Sequence, residues 1–371
     1  MTLPPCPGPP TFSVDWQSLH DQYAWIRAMQ GVPQNPLHHA EGDVWVHTRL
    51  VCEALSQLPE FRALPEADRS TAFWAALLHD VSKPACTREE GGSLTARGHS
   101  TKGELEARCI LFQLGATMAQ REHVARLVQV HQLPYFAIDK QRPAHSVIKI
   151  SQVARCDLLA LLCEADIRGR ECADKQRLLD NVELFRELCR EQGCFDAPFA
   201  FASAQSRFEY FRRDDRDPHY AAHDSSKLRV TLMCGLPGSG KDTWLANTDP
   251  SLPVISLDAI RRELGTQHGK REGEVITHAK ERARKMLRDQ TPFVWNATNL
   301  TRKTRRQLID LFADYDAHIR VVYCEAPWNL LQKRNRERAA PVPEQVLSAM
   351  LQRWSVPDLT EAHSLVLNVA D

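Results

Sequence analysis

Val230 to Trp244 reads VTLMCGLPGSGKDTW, and this stretch decides how the C-terminal part of the chain must fold. An apolar run enters Gly235, Pro237, Gly238, Ser239 and Gly240, then Lys241, and continues into residues able to form a helix. That order is strand, glycine loop, helix. Such a loop turns its backbone N–H groups inward, adds the positive end of the helix dipole, and sets Lys241 as a point charge. It is a polyphosphate cradle. The Ser or Thr that usually follows the lysine and ligates Mg²⁺ is here Asp242, with Thr243 next. A carboxylate beside triphosphate needs a cation between them, so either Asp242 or Thr243 is the Mg²⁺ contact.

A chain of 371 residues is too long for one ordinary core, and two domains are expected. The 47 basic and 47 acidic residues cancel, which argues against a protein that coats nucleic acid indiscriminately but permits a local basic grip on one strand end. Eleven cysteines, scattered and never as C-x-x-C, argue against disulfide or metal-thiolate frameworks and fit a reducing cytoplasm. The opening MTLPPCPGPPTF has no signal-peptide pattern, and no apolar run approaches a membrane span, so no membrane partnership is expected.

Residues 1–13 read as a disordered Pro-rich lead. From 14 to 195 the apolar spacing is helical, with helices expected at Val44–Leu58, Glu66–His79, Lys102–Leu114, Glu122–His131, Val147–Ala165 and Gln176–Glu191. Residues 196–227, charged and without period, read as a linker. From 228 to 371 the pattern alternates, with strands expected at Arg229–Cys234, Pro253–Leu257, Pro292–Asn296, Ile319–Cys324 and Leu365–Val369. Alternation of strand and helix predicts a parallel sheet covered on both faces.

In the helical half, His47, the pair His79-Asp80, His99, His131 and Asp166 are far apart in sequence and gather only if the fold brings them together. The informative string is HDVSK, His79 to Lys83, where two neighbours at a helix end can reach one cation and a lysine follows one turn later. It resembles the signature of the HD phosphohydrolase superfamily, which implies an all-α fold holding one or two divalent metals. On that resemblance His47, His79, Asp80 and Asp166 hold the first metal, and His99 and His131 add a second bridged by Asp80. Lys83 would neutralise phosphate charge, with Arg168 and Arg170 placed to do likewise. Such ligands suit Mn, Ni, Co, Fe, Zn or Mg without choosing among them. Phosphate-ester hydrolysis is slow enough to call for this chemistry.

In the α/β half, Asp258 stands at the carboxyl end of the second strand, on the sheet edge where ligands bind, and Arg261 follows it on one helix face. A carboxylate can take the acceptor proton while an arginine fixes a neighbouring phosphate; an N-cap role for Asp258 is compatible with this. Arg302, Lys303, Arg305 and Arg306 crowd one helix start, which points to an anionic partner or a solvated face. Arg334 and Arg338 share a face in a candidate lid. GLPGSGKDT, Asp258-x-x-Arg261 and RNRER together resemble the viral 5′-OH polynucleotide kinases, from which Asp242 departs. The domain order resembles the bacterial bifunctional HD-domain polynucleotide kinases. That resemblance implies a P-loop kinase using ATP or another NTP with Mg²⁺ on RNA or DNA 5′ ends. It also implies HD removal of 2′,3′-cyclic, 2′- or 3′-phosphates ahead of a separate ligase. Lys241 and Asp242 would hold phosphate and metal, Asp258 would be the base, Arg261 the clamp, and Arg334 or Arg338 the lid arginine. A small-molecule or nucleoside kinase fused to a nucleotidase is the alternative.

Overall fold

A computed structural model of the chain describes residues 2–213, 215–267, 269–337 and 341–370. It divides into two compact units, Met1–Ala200 and Phe201–Asp371. No helix among the described residues is long and apolar enough to cross a membrane.

The first unit is helical. Its centre is the Glu66–Leu78 helix, in which every residue from Thr71 to Leu78 is buried. A helix apolar all round has neighbours on every side; Val44–Gln57, Met118–Val130 and Cys156–Arg168 pack against it. Asp43 caps Val44–Gln57 by accepting from Val46 N at 2.8 Å. Gly169 ends Cys156–Arg168 so close to that helix that a Cβ would lie 2.7 Å from Val51 N. Only glycine permits this approach, and it brings Asp166 beside His47. A short hairpin, β1 (Arg88–Glu90) and β2 (Ser93–Thr95), precedes the helix His99–Gln113.

Two expectations for this unit are corrected. The lead is packed rather than disordered. Trp74 Nε1 donates to Pro4 O at 2.8 Å, Tyr23 OH donates to Thr2 O at 2.6 Å, and Phe12 meets Phe61 edge-on. A proline-rich segment has free carbonyls, and two buried aromatic donors need them. The single helix expected at Val147–Ala165 is two, Pro143–Ser151 and Cys156–Arg168. Arg155 is extended at the break, its guanidinium held by Asp157 and Asp68, while Asp157 N finds Phe195 O at 2.9 Å.

The second unit is a five-stranded sheet in the order β4-β5-β3-β6-β7, all neighbours parallel. The strands are β3 (Leu228–Cys234), β4 (Val254–Ser256), β5 (Phe293–Asn296), β6 (Ala317–Glu325) and β7 (Ser364–Val369). Val230 of central β3 lies between Phe293 and Ile319, and all but one β3 residue is buried, as a strand covered on both faces requires. On one face Met233, Val294, Val322 and Cys324 pack with Leu245 of the helix Lys241–Thr248. The stretch read as a linker is not one throughout. It contains the helix Ala204–Arg212, which belongs to this unit: Arg207 donates to Leu359 O and His363 O, and the Phe208 ring lies 3.9 Å from that of His363. The adjacent Arg207 guanidinium and Phe208 ring supply contacts that the local charge concealed.

Candidate functional sites

In the helical unit, the chain turns immediately after Leu78, so that His79 and Asp80 enter the interior at a helix end. Asp80 Oδ2 lies 3.1 Å from His79 Nε2, 3.7 Å from His47 Nε2 and 2.7 Å from Lys83 Nζ, while Oδ1 lies 3.4 Å from His99 Nε2. Two donor groups result, His47-His79-Asp80 and Asp80-His99-His131, which share Asp80. Asp166 Oδ1 stands 3.2 Å from His47 Nε2. All six of these side chains are buried.

The histidine tautomers follow from their outer bonds. Nδ1 of His79, His99 and His131 faces the carbonyl three residues upstream, Ala76, Ala96 and Val128, at 2.7 to 2.8 Å. An Nδ1–H bonded there leaves Nε2 with its lone pair, aimed at the centre. His47 Nδ1 lies 2.8 Å from Glu41 Oε1 as an ion-pair contact without hydrogen-bond geometry, which still places the negative charge on the side of the ring away from Asp80. His47 Nε2 and His79 Nε2 then face each other at 3.3 Å, where two lone pairs repel unless a positive charge lies between. Asp80 Oδ1 and His99 Nε2 are buried without a hydrogen-bond partner. This donor set fits divalent cations in two adjoining positions.

The charges agree. Burial raises the Asp80 carboxyl, but His79 and then Lys83 outweigh it and hold it well below the usual range. Burial, then the neighbouring His79 and His99, push His131 down to about 3, so it is neutral. Asp166 is also depressed: burial is overcome by Arg170, which pairs with both carboxylate oxygens, and Tyr135 OH donates to Oδ2 at 2.6 Å. Arg170 is therefore a partner of Asp166, whereas Arg168 is half exposed and bound to Glu164. A cleft of about 500 Å³ opens beside these residues, lined by Lys83, Arg97, His99, Phe136, Arg170 and Arg177 among others. Phe136 is 51% exposed there, a large apolar ring among charged lining residues whose cations are paired with Asp80, Glu90, Asp166 and Asp174.

Glu41, Tyr135 and Phe136 were not singled out in sequence. No spacing rule marks Glu41, which lies six residues before His47, and its role depends on the turn of chain between them. Glu41 also accepts from Glu171 N at 2.9 Å and pairs with His39 Nδ1 at 2.8 Å.

In the second unit, Gly235, Gly238 and Gly240 have φ of 142°, 81° and 95°. At Gly235 a Cβ would stand 2.2 Å from Cys324 O, so the loop could not seat on β6 with any other residue. Lys241 Nζ donates to Gly235 O and Leu236 O at 2.9 and 2.8 Å, curling over the loop. Ser239 Oγ is buried without a partner at the loop's centre, which suits a phosphate oxygen. Asp242 and Thr243 are exposed, and Asn296 Nδ2 donates to Asp242 Oδ1 at 2.7 Å. Arg334 Nη1 donates to Gly238 O at 3.2 Å, placing this arginine on the loop; Arg338 lies outside the described residues.

Asp258 is 61% exposed at the first turn of Leu257–Glu263; the N-cap is Ser256, whose hydroxyl accepts from Ala259 N. Arg261 Nη1 donates to Asp258 Oδ1 at 2.6 Å, and its fork engages both oxygens of Glu272 at 3.1 and 2.8 Å. The basic crowd at the start of Arg302–Ala313 is in part paired with acids. Arg305 is fully buried against Glu361, at 2.7 and 2.8 Å, and Arg302 pairs with Asp358 at 2.6 Å. Lys303 and Arg306 face solvent, and Arg302, paired with Asp358, is still 42% exposed. Acids near the chain's end, invisible to a local reading, neutralise the other two.

The HD domain family matches residues 43–166, and the AAA domain family AAA_33 matches residues 230–357. The chain carries an HD domain followed by a P-loop kinase-like domain. Among curated proteins it is 28% identical over 163 residues to the multifunctional CCA protein of Hahella chejuensis, covering 42% of this chain and 36% of that protein. It is 25% identical over 147 residues to the L-seryl-tRNA(Sec) kinase of Methanococcus maripaludis, covering 35% of this chain and 58% of that one. The chain thus spans between about a third and three fifths of these relatives. A solved sugar kinase from Janibacter superposes on 38% of this chain and 85% of its own at a TM-score of 0.30, with 16% identity.

Proposed function

We propose that the chain heals broken nucleic-acid ends, its P-loop unit transferring the γ-phosphate of ATP or another NTP to a 5′-OH and its HD unit removing a 2′,3′-cyclic, 2′- or 3′-phosphate. The observation that carries this reading is the pairing, in one polypeptide, of a shared-Asp80 ligand set beside a cleft lined in part by Lys83, His99 and the exposed Phe136 ring with a separate glycine cradle for triphosphate. A separate ligase would join the products.

At the HD centre, His47, His79, Asp80 and Asp166 would hold one divalent cation and Asp80, His99 and His131 a second; bound cations supply Lewis acidity for phosphoester hydrolysis. Lys83 neutralises a phosphoryl oxygen, and Arg170 keeps Asp166 ionised and oriented. Phe136 offers a face on which a terminal base stacks. At the kinase centre, the loop N–H groups and Lys241 hold the outer phosphates, with Mg²⁺ near Asp242 or Thr243. Asp258 accepts the proton of the attacking hydroxyl, Arg261 grips the adjoining phosphate, and Arg334 or Arg338 stabilises the transferring group.

One observation favours a second reading. Because Arg305 is buried on Glu361 and Arg302 is neutralised by Asp358, the polyanion-binding surface is smaller than the sequence suggested, which suits a small-molecule acceptor beside an HD nucleotidase. The deciding experiment supplies ATP, Mg²⁺ or Mn²⁺, and an RNA with a 5′-OH and a 2′,3′-cyclic phosphate, and weighs both ends by mass spectrometry. Gain of phosphate at one end and its loss at the other is expected. Turnover of free nucleosides and nucleotides with both RNA ends untouched would replace this reading with the second.

A further inference from the structure

Eleven cysteines are spread along the chain, and two of the buried ones have their thiols used up in ordinary ways. Cys163 Sγ donates to His131 O at 2.8 Å, and Cys234 Sγ to Asn299 O at 3.3 Å. Three others differ. Cys156 opens the helix Cys156–Arg168, Cys189 lies in the last turn of Lys175–Glu191, and Cys194 follows, its N–H bonded to Cys189 O at 2.8 Å. All three are 0% exposed, and their sulfurs lie within 4.8 Å of one another.

These thiols turn toward each other instead of toward carbonyls, apart from the Ser151 hydroxyl beside Cys194. Three S–H groups pooled in a dry interior make weak bonds and leave soft donor sulfurs converging. Contacts with the other thiols, together with burial, push Cys156 and Cys189 above their usual range, so a bound cation must displace their protons. Cys156 stands at the positive end of a 13-residue helix, and Arg190 acts on Cys189. Bonds from Cys156 and then Cys189 hold the Cys194 thiol well below its usual range. A metal with bonds of about 2.3 Å to sulfur spaces three ligands roughly 3.8 Å apart, inside the observed envelope. No imidazole or carboxylate joins the group among the described residues, which excludes Mg²⁺, Mn²⁺ or Ca²⁺.

We propose that Cys156, Cys189 and Cys194 form a three-thiolate site for one thiophilic d10 cation, Zn(II) or Cu(I), distinct from the HD centre. On binding, three S–H protons leave as three metal–sulfur bonds form. The ion staples the helix that carries Asp166 to the Lys175–Glu191 helix packed beside it, so it fixes a ligand of the neighbouring centre without touching it.

The test uses the full chain, reduced and freed of metal, titrated with Cd(II) as probe and followed through the ultraviolet thiolate-to-cadmium band. A band saturating at one equivalent is expected, removed by Cys156→Ser or Cys189→Ser and retained in Cys109→Ser. Competition with Zn(II) and with Cu(I) then shows which ion displaces cadmium. Should the serine variants fail to fold, a chain with all its cysteines still decides: Zn(II) or Cu(I) should raise, and a chelator lower, the unfolding temperature of the Asp80→Ala protein, whose HD centre is crippled. Absence of a thiolate band in folded, reduced protein would overturn the site. So would a disulfide among the three, seen as a loss of two hydrogens by mass.

Discussion

Glu41 Oε1 lies 2.8 Å from Nδ1 of His47, with the carboxylate 1% exposed and the imidazole fully buried. The acid places its negative charge beside Nδ1, on the side of the ring away from Asp80, and it is bound in turn by His39 and the Glu171 backbone. Glu41→Gln should weaken divalent-metal affinity at the HD centre by about 10- to 100-fold while leaving the kinase unit unchanged. Metal titration of phosphatase activity beside a kinase assay checks this. Equal metal requirements in the two proteins would remove Glu41 from the centre.

Lys241→Ala should abolish 5′-OH phosphorylation and spare the phosphatase, and Asp80→Ala should do the reverse. Each residue sits in its own compact unit. Assaying both activities of both variants, with circular dichroism to confirm folding, checks the separation. A folded variant silent in both reactions would contradict it.

Asp242→Ala should raise the Mg²⁺ requirement of the kinase more than Thr243→Ala, because Asn296 already orients Asp242 Oδ1. Superimposable Mg²⁺ titrations for the two variants would show that neither side chain is the distinguishing contact.

Arg305 and Glu361 form a buried bidentate pair. Removing one partner strands the other charge, so Arg305→Ala should destabilise the second unit by about 3–5 kcal/mol. Lys303→Ala and Arg306→Ala, both at exposed positions, should change stability by less than about 0.5 kcal/mol. Under the nucleic-acid reading, those two surface changes should instead raise KM for an oligonucleotide. Denaturant unfolding and kinase kinetics measure the two effects separately.

The second unit should lose stability in mild acid through His363. Its Nδ1 accepts from Ile319 N at 3.0 Å while Nε2 faces Gln205 Oε1 at 2.9 Å, so the buried ring is neutral. Burial first, and then His318 stacked on it, lower it from 6.5 to about 4. The unfolded chain therefore binds the extra proton between these values. Stability from this group is fully present above about pH 6.5 and is lost as pH falls toward 4, by up to about 3 kcal/mol. Denaturant unfolding from pH 7 to pH 4.5 checks the slope; His363→Gln should flatten it.

Much of the architecture was legible locally. The glycine loop between β3 and its helix, the alternating strands and the apolar spacing of Glu66–Leu78 each follow from short-range rules of backbone freedom and side-chain period. HDVSK likewise names two ligands because they adjoin. What local rules misjudged were segments whose partners are distant: the proline-rich lead that satisfies Trp74 and Tyr23, and the charged stretch whose Phe208 finds His363.

The chain's order of residues alone determined most of the helices and strands and the chemical inventory, since torsion preferences and hydrophobic period act over a few neighbours. Tertiary folding alone decided which charges are spent and which remain for chemistry. It paired Arg305 with Glu361, set Glu41 behind His47, and drew three unremarked cysteines together. Electrostatic and ligand interactions depend on distance in space, and separation along a chain does not report that distance.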